Sequence, residues 1–555
     1  MKQKSFWARR SVIGSALLLS GITAGITSAE AVELTEQGSD IKVNWDNTVR
    51  YKNAFRTRGQ SAALLGQPNN DDGDRNFKEG LISNRLELLS ELDVVSRDGY
   101  GLRLSGQGWY DTVYNESNDN PGFAGGAVPN RAGPSDEFNR STRRMLGRDF
   151  QVRDAFVMSK FSVADMPTTV RLGRHALVWG ESLFFASNGI AGGQSPFDVN
   201  RLLGDPTAQA KEFVLPVPQI SGQTQISSDL SVGAYYQFQS SRNIFPAVGS
   251  YFSQGDTFGE GAEQMWVGPG VAVPRGADMR AKNSGQGGLQ LRWRALETDF
   301  GAYVIRFHDK SPQIVTRLGP GFQPTGFYQA YHQGITAYGA SASRTFGEAN
   351  VAIEASLRNN QDLSSSGGAS DFGNANNSSN PGYAVGKTGH VNASVIWALE
   401  PGALWREATF VGEVAWNRML SCKKGCSNPF GAAALDPNGS RDAYGLRMVF
   451  TPMYRQIASG WDMSVPMGLG YSPRGSRSLA LGPGYLPPEN GGDMTIGLTG
   501  IYQSSLHVSL AYTHFYGAAK TLLTTPSAPG QVPLYNYGQA YQDRDFITLT
   551  VRKTF

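Results

Sequence analysis

The amino-acid sequence repeats one pattern from residue 41 to its last residue: short segments in which apolar and polar side chains alternate. The final segment, DRDFITLTVRKTF, is typical, because Ile547, Leu549 and Val551 share one parity and Thr548 and Thr550 share the other. Successive side chains of a β-strand point to opposite faces, so each segment predicts a strand with one apolar and one polar face. About 18 such segments can be counted, with 16 as the alternative.

The connections between these segments alternate strictly between short and long. Short connections such as 96–99 and 227–229 are followed by long ones such as 111–149 and 241–284. A soluble β-sandwich has no reason to sort its loops in this way, whereas outer-membrane barrels have short periplasmic turns and long extracellular loops. The sequence therefore predicts an all-β fold, a transmembrane antiparallel up-and-down β-barrel in the outer membrane of a Gram-negative bacterium.

Residues 1–31 predict a secretory signal peptide. The basic stretch MKQKSFWARR precedes an apolar, uncharged run and an Ala-x-Ala site that ends at Ala31, which is the usual order of a signal sequence. An N-terminal membrane anchor is the alternative, although Ser, Gly and Thr dilute the apolar run. The barrel is then expected to occupy residues 32–555 as one domain.

The composition agrees with a barrel and excludes other classes. Charged residues are 17% of the chain, below the ~25% of an ordinary soluble domain. After the leader, no stretch approaches the ~20 apolar residues that a membrane helix needs. The net charge of +3 is too close to balance to indicate a nucleic-acid partner.

Two cysteines, Cys422 and Cys426, stand in the stretch SCKKGCSNPF. In an exported protein the expected state of such a pair is a local disulfide. A thiolate metal site is the alternative, but two ligands without a nearby His do not complete a zinc site.

Parity along each strand predicts which charged side chains face the lumen. Because Leu289 and Leu291 would face lipid, their neighbours on the opposite parity face inward. The lumen candidates on strands are Arg103, Arg292, Arg294, Glu354, Arg358, Glu413, Arg447 and Arg552. A barrel of ~18 strands is wide enough for solutes unless loops fill it. The alternative is that these groups only pair with one another across the wall.

The segment 180–212 is the candidate for a loop inside the lumen. It reads GESLFFASNGIAGGQSPFDVNRLLGDPTAQAKE, with several large apolar residues among Glu181, Asp198, Arg201 and Asp205. Since so apolar a loop is poorly suited to water, we expect it to fold inward and set the constriction. Packing on the outer rim of the barrel is the alternative.

No motif of an enzyme or a metal site is complete in this sequence. HExxH and GxSxG are absent, and the six His are scattered along the chain. The stretch NNDDGD (69–74) has carboxylates suited to calcium but lacks the closing Glu of a calcium loop, so a solvated acidic loop tip is the preferred interpretation. We therefore expect no catalytic residue, no metal and no cofactor.

Several stretches resemble the proteobacterial outer-membrane family catalogued as domain of unknown function 1302. They are RLGRHALVWGESLFF (171–185), SPFDVNRLL, KEFVLPVPQI and FPAVGSYFSQGDTFGEGAE (245–263), and the resemblance covers essentially the whole mature chain. His175 departs from the resemblance, which leads us to expect Gln there. The strand ending at Phe555 also resembles the signal that the barrel-assembly machinery recognises.

The resemblance implies a role in uptake or export of sterols, terpenes and other hydrophobic organic compounds. It also implies a periplasmic carrier and an inner-membrane permease as partners. We therefore expect a porin-like channel, monomeric or trimeric, for small organic compounds of sterol, terpene or fatty-acid type, surrounded by outer-membrane lipid and lipopolysaccharide. The alternatives are a lipase-type barrel enzyme and a structural or adhesive barrel.

Overall fold

A computed structural model describes most of the chain. The described residues are 32–33, 39–122, 130, 133–206, 208–268, 271–365, 369–427, 433–525 and 533–555. The predicted signal peptide, residues 1–31, lies outside this part.

Eighteen strands form the wall of a barrel, and we number them in chain order. They are β1 Ile41–Arg56, β2 Gly80–Ser96, β3 Tyr100–Asp111, β4 Arg148–Val163, β5 Met166–His175, β6 Val217–Gln225, β7 Leu230–Gln237, β8 Gln286–Ala295, β9 Thr298–His308, β10 Gln333–Phe346, β11 Ala349–Asp362, β12 Val385–Leu399, β13 Glu407–Lys424, β14 Asp442–Ala458, β15 Trp461–Ser464 with Met467–Ser472, β16 Gly491–Tyr502, β17 Leu506–Tyr516 and β18 Phe546–Thr554.

The sheet closes on itself. Each strand pairs antiparallel with the next one in the chain. The last strand then pairs with the first, in a register that runs from Thr48 opposite Thr554 to Arg56 opposite Phe546. A closed ladder has no edge strand, so the wall satisfies its backbone N–H and C=O groups internally. The prediction of an up-and-down barrel of about 18 strands is confirmed.

Proline affects the wall at two strands. β15 is divided in two around Val465 and Pro466, as expected of a residue that has no N–H to give to a ladder. β6 begins at Val217 and carries Pro218 as its second residue, where a missing donor disturbs the ladder least.

The connections sort as the sequence predicts. The short ones are 97–99, 164–165, 226–229, 296–297, 347–348, 400–406, 459–460 and 503–505. The long ones are 57–79, 112–147, 176–216, 238–285, 309–332, 363–384, 425–441, 473–490 and 517–545. Since the strands alternate in direction, every long connection emerges at one end of the barrel.

Within the long connections the elements are brief. The helical segments are Asp72–Arg75, Thr112–Asn115, Arg140–Thr142, Arg143–Gly147, Ile190–Gly193, Val199–Gly204, Ala210–Phe213 and Pro320–Phe322. Short strands are Gln264–Gly268 with Val271–Pro274, and Gln313–Leu318 with Pro324–Ala330 and Ser370–Asp371, while Val32–Glu33 pairs with β1. In the described residues, no helix is long and apolar enough to cross a membrane.

The two faces of the wall differ in polarity. On β8 and β11 the apolar side chains of Leu289 and Leu357 are 60% and 57% exposed. The opposite parity of β11 carries Glu354 and Arg358, which are 2% and 4% exposed. An apolar surface that covers the outside of a closed barrel is suited to hydrocarbon, and the protein is an outer-membrane β-barrel.

Aromatic side chains from several long connections pack together at the end where these connections emerge. Phe77 of the first long connection lies 5.7 Å from Phe138 of the second and 5.5 Å from Tyr251 of the fourth, measured between ring centroids. Phe252 lies 6.2 Å from Tyr541 of the last one. These loops therefore form a common apolar core above the strands β1, β2, β17 and β18.

A charge placed on the outer face tests the membrane orientation of the wall. Leu289→Arg, near the middle of β8, is expected to lower the free energy of unfolding by about 2–4 kcal/mol, because a cation at the bilayer midplane is poorly solvated. The matched control is Leu296→Arg in a short turn, where Leu296 is 87% exposed and the expected cost is roughly 0–1 kcal/mol. Equal costs in a denaturant titration of the protein in lipid vesicles would contradict this orientation.

Candidate functional site

The third long connection, residues 176–216, lies against the inward face of the wall, and we call it the crossing loop. Near its start, three consecutive main-chain amides, those of Leu183, Phe184 and Phe185, donate to a single carboxylate oxygen of Glu413 on β13, the first at 3.2 Å and the last at 2.9 Å. A buried carboxylate is costly unless it is hydrogen-bonded. Glu413 therefore holds this turn of the loop to the wall.

Glu354 and Arg358 of β11 hold the next part of the loop. The main-chain amides of Glu181 and Ile190 donate to the two oxygens of Glu354 at 2.7 and 2.5 Å. The Arg358 guanidinium donates to the three consecutive carbonyl oxygens of residues 187–189 at 2.8 to 2.9 Å. Hydrogen bonds to charged groups contribute about 1.5–3 kcal/mol each, so these contacts form a strong first anchor.

The second anchor is a buried network of ion pairs on β1 and β2. Arg201 of the loop lies 2.5 Å from Glu87 of β2. Arg50 of β1 lies 2.9 Å from Asp205 and 2.6 Å from Glu212, both in the loop. All five residues are less than one-tenth exposed. Removing one partner from such a network leaves an uncompensated buried charge, which costs about 3–5 kcal/mol.

The two anchors lie on opposite walls. β2 and β11 are nine strands apart in a closed ring of 18, which places them half-way round the barrel from each other. Lys211 extends the second anchor through an ion pair of 2.5 Å with Glu91 of β2, and Arg153 of β4 donates to the carbonyl oxygens of Lys211 and Val214. Residues 181–214 are therefore tied to both walls and cross the interior.

Four of the predicted lumen residues lie in the crossing loop itself. Arg201 and Asp205 belong to the second anchor. The carboxylate of Asp198 accepts the main-chain N–H of Arg201 at 2.9 Å and caps the helix Val199–Gly204. The Glu181 carboxylate pairs with Arg292 of β8 at 3.4 Å, so a predicted strand residue and a predicted loop residue meet.

The other predicted strand residues have different partners. The Arg447 guanidinium forms two hydrogen bonds with Asp493 at 2.9 and 3.1 Å, and it lies 6.0 Å from the ring centroid of Phe184 in the crossing loop. Arg358 belongs to the first anchor.

Arg103 and Arg294 pair with carboxylates of the wall. Arg103 lies 2.6 Å from Glu91 and 2.9 Å from Asp93. Arg294 lies 3.3 Å from Asp299 on the adjacent strand. These pairs match the alternative that lumen charges satisfy one another across the wall.

The sequence analysis missed Arg50, Glu212 and Lys211 as partners of the loop. Parity already places Arg50 on the inward face of β1, opposite Val49 and Tyr51. Parity does not predict which loop residue pairs with Arg50, because that partner depends on how far the crossing loop reaches across the barrel.

A cavity lies between the crossing loop, the wall of β1–β4 and the packed loops above. One side of it is apolar and is formed by Ile82, Tyr114, Met145, Leu146, Tyr251 and Phe252. The other side is polar and includes Lys52, Arg85, Gln107, Trp109, Asp111 and Asn200, together with the residues of the second anchor. The lining of the cavity is thus amphipathic.

Three donors on the polar side are suited to a ligand oxygen. Within the described part of the chain, the buried Gln107 Nε2 and Trp109 Nε1 atoms have no hydrogen-bond acceptor. The Lys52 ammonium donates to the main-chain oxygen of Gly204 at 3.1 Å. An ammonium has three N–H groups, so it can also bind an oxygen of a ligand in the cavity.

The acidic stretch 69–74 is not a solvated loop tip, and that interpretation is wrong. Asp71, Asp72 and Asp74 are at most 1% exposed, because the fourth long connection packs over them through Ser250 and Ser253, whose carbonyl oxygens approach Gly73. Carboxylate side chains are usually exposed, but the packing of two long loops buries these three.

A Ser–His pair is present on β5 and β6, which bears on the enzyme alternative. The His175 Nε2 and Ser221 Oγ atoms lie 2.7 Å apart, and both residues are buried. The other ring nitrogen faces the carbonyl oxygen of Gly173 at 3.1 Å, where a hydrolytic triad requires a carboxylate. The pair has the geometry of a structural hydrogen bond.

Cys422 and Cys426 are paired as a disulfide, with their Cα atoms 5.9 Å apart. The pair closes the end of β13 and the start of the following loop, away from the crossing loop and the cavity.

Removing a first-anchor carboxylate is expected to release the crossing loop without unfolding the barrel. Glu413→Ala leaves three amides without their acceptor, so proteolytic cleavage within residues 183–190 should become at least several-fold faster and single-channel conductance should rise. Glu407→Ala is the matched control, since Glu407 lies on the same strand and pairs with Arg455 far from the loop. Equal cleavage rates and conductance in both variants would contradict the anchoring role.

Comparison with known proteins gives similar barrels of low sequence identity. OccAB2 of Acinetobacter baumannii has a TM-score of 0.41 at 10% identity, over 92% of this chain and 98% of that chain. OpdK of Pseudomonas aeruginosa, determined with vanillate, has a TM-score of 0.39 at 11% identity, over 92% of this chain and 98% of that chain. OmpF of Salmonella typhi, in complex with daunomycin, has a TM-score of 0.37 at 9% identity, over 94% and 100%.

No curated protein matches the sequence. The model of a protein family of unknown function, DUF1302, matches residues 13–555. That is nearly the whole chain, and the chain therefore belongs to this family.

Proposed function

We propose that this barrel is a channel through which small organic molecules with a hydrophobic body and an oxygen-bearing head cross the outer membrane. The observation that carries the proposal is the mixed polar and apolar lining of the cavity beside the crossing loop, which at about 70 Å³ takes the oxygen-bearing head of a solute rather than its whole body. Aromatic and aliphatic side chains line one side of it, and the donors of Lys52, Gln107 and Trp109 line the other. Ligand sites are commonly apolar, with a few placed polar groups that fix orientation.

The charge balance of the cavity favours weakly charged or neutral ligands over strongly ionic ones. Arg201 pairs with Glu87, Arg50 pairs with Asp205, and Arg85 also pairs with Glu87, at 3.0 Å. These cations are already neutralised by the protein. A hydroxyl group, or one carboxylate held by Lys52, remains a good match, as in a terpene alcohol, a sterol or a fatty acid.

In this proposal the crossing loop sets the constriction of the channel. It is tied to both walls, so a solute must pass beside it, and its half-buried Phe184 and exposed Leu202 would then contact the solute body. A passive channel needs favourable but weak sites, which suits a cavity with few free donors.

The partners follow from the same role. Outer-membrane lipid and lipopolysaccharide surround the apolar belt, and the barrel-assembly machinery inserts the chain. A periplasmic carrier and an inner-membrane permease would pass the solute on, because a hydrophobic compound is poorly soluble in the aqueous periplasm. No nucleic acid, cofactor or catalytic step is part of this function.

The proposal is tested by comparing an oxygenated ligand with its parent hydrocarbon. Trp109→Phe removes one donor and keeps the aromatic surface. A hydrogen bond contributes about 0.5–1.5 kcal/mol, so the affinity for a terpene alcohol should fall about 2- to 10-fold while the affinity for the hydrocarbon stays unchanged. The measurement is the block of single-channel current in planar bilayers by a panel of fatty acids, sterols and terpenes.

Trp397→Phe is the matched control, because Trp397 lies on β12 and is 46% exposed on the apolar outer parity. It should leave both affinities unchanged. The proposal fails if no member of the panel blocks the current, or if Trp109→Phe weakens the alcohol and the hydrocarbon equally.

A further inference from the structure

The buried acidic cluster of the long loops has a composition that points to a ligand. One carboxylate oxygen from each of Asp71, Asp72 and Asp256 lies within 4.8 Å of the others. Asp71 and Asp72 belong to the first long connection and Asp256 to the fourth, so residues far apart in sequence converge here. The cluster lies at the end of the barrel where the long loops pack.

Two oxygens of this cluster have no hydrogen-bond partner among the described residues. The first is Asp71 Oδ1. The Arg75 side chain donates to the other oxygen of this carboxylate, Oδ2, at 2.6 Å. The second is Asp256 Oδ1. The main-chain N–H of Asp72 donates to the other oxygen of Asp256, Oδ2, at 3.3 Å. Asp71 and Asp256 are 0% and 1% exposed. Buried carboxylate oxygens without donors are strongly disfavoured.

The neighbouring charges do not balance the cluster. Nearby, Asp74 and Asp543 pair with the buried Arg56 at 2.7 and 3.3 Å, and Arg544 lies 3.9 Å from Asp74. With Arg75, the cluster and its surroundings hold five carboxylates and three guanidiniums, a net charge of −2 among these groups.

We propose that Asp71, Asp72 and Asp256 form a binding site for a divalent cation, calcium by its size. Calcium binds oxygen ligands at about 2.3–2.6 Å, so ligands on opposite sides of one ion lie at most about 4.6–5.2 Å apart. The spacing of the three carboxylate oxygens falls within that limit. Magnesium, at about 2.0–2.1 Å, requires a tighter arrangement. A charge of +2 also equals the excess of carboxylates.

The ion would join two long loops above the cavity, and the last long loop packs against them. The main-chain N–H of Asp256 already donates to the carbonyl oxygen of Asn69 at 2.7 Å. The side chain of Asn70 donates to the Gln254 carbonyl oxygen at 2.9 Å and accepts from the main-chain N–H of Leu523 at 3.3 Å. Tyr251 and Phe252, on the same loop as Asp256, line the apolar side of the cavity. Bound calcium would therefore hold that side of the cavity in place.

Terbium luminescence tests the site directly, because Tb³⁺ replaces calcium and is excited through nearby aromatic rings. Tyr251 lies in the same packed loops, and Trp266 donates its main-chain N–H to Asn69 at 2.7 Å. Purified full-length protein in detergent should give a saturable Tb³⁺ signal that calcium displaces at much lower concentration than magnesium. A wild-type protein without a saturable signal overturns the proposal, whatever the variants do.

Asp256→Asn is the decisive variant, and Asp98→Asn in a short turn at the other end of the barrel is its matched control. Asp256→Asn should weaken Tb³⁺ binding at least 10-fold, whereas Asp98→Asn should leave it unchanged. Retention of the compact, heat-modifiable form on gels shows that each variant is folded. Equal Tb³⁺ affinity in wild type and Asp256→Asn contradicts the site.

Thermal unfolding gives a second readout that does not depend on terbium. Calcium should raise the Tm of the wild type relative to a chelator, since a ligand that binds only the folded state stabilises it. In the chelator, Asp256→Asn should unfold at or above the wild-type temperature, because the amide relieves carboxylate repulsion, and calcium should not shift it further. A calcium shift of equal size in both proteins excludes these carboxylates as the site.

Discussion

The structure depends on one constraint: a backbone in hydrocarbon has to satisfy its hydrogen bonds within the protein. Pairing of β18 with β1 removes the last open edge of the sheet. Once the wall is closed, each strand has one face for lipid and one for the interior, and every polar side chain of the inner face needs a partner. The crossing loop supplies many of those partners, so the polar groups of the inner wall and of the loop satisfy one another.

The crossing loop is held mainly by charge acting on main-chain groups. Glu413 and Glu354 bind amides, and Arg358 binds carbonyl oxygens, which fixes backbone position without depending on the loop side chains. On the opposite wall the ion pairs of Arg50 and Arg201 use side chains of the loop. The loop can therefore present its remaining side chains, with the wall donors Gln107 and Trp109, to a solute. This arrangement supports a channel with a shaped interior better than an open pore.

The wall could be predicted from the sequence because its signal is local. Alternation gives each strand and its faces, and the sorting of loop lengths gives the topology. The partners of the inner charges could not be predicted in the same way, since the pairing of Arg50 with Asp205 joins residues far apart in sequence. The burial of Asp71 and Asp256 also depends on two long loops packing together, and no periodicity encodes that contact.

Hydrogen–deuterium exchange of the protein in lipid nanodiscs tests the central claim most directly, namely that the crossing loop is fixed to the wall at its first anchor. The amides of Glu181, Leu183, Phe185 and Ile190 donate to buried carboxylates, so they should exchange as slowly as amides of the barrel strands. The amides of the exposed turn 400–406 should exchange fast and provide the reference for unprotected backbone. Exchange of residues 181–190 at the rate of that turn would show that the loop is free of the wall and would contradict the account.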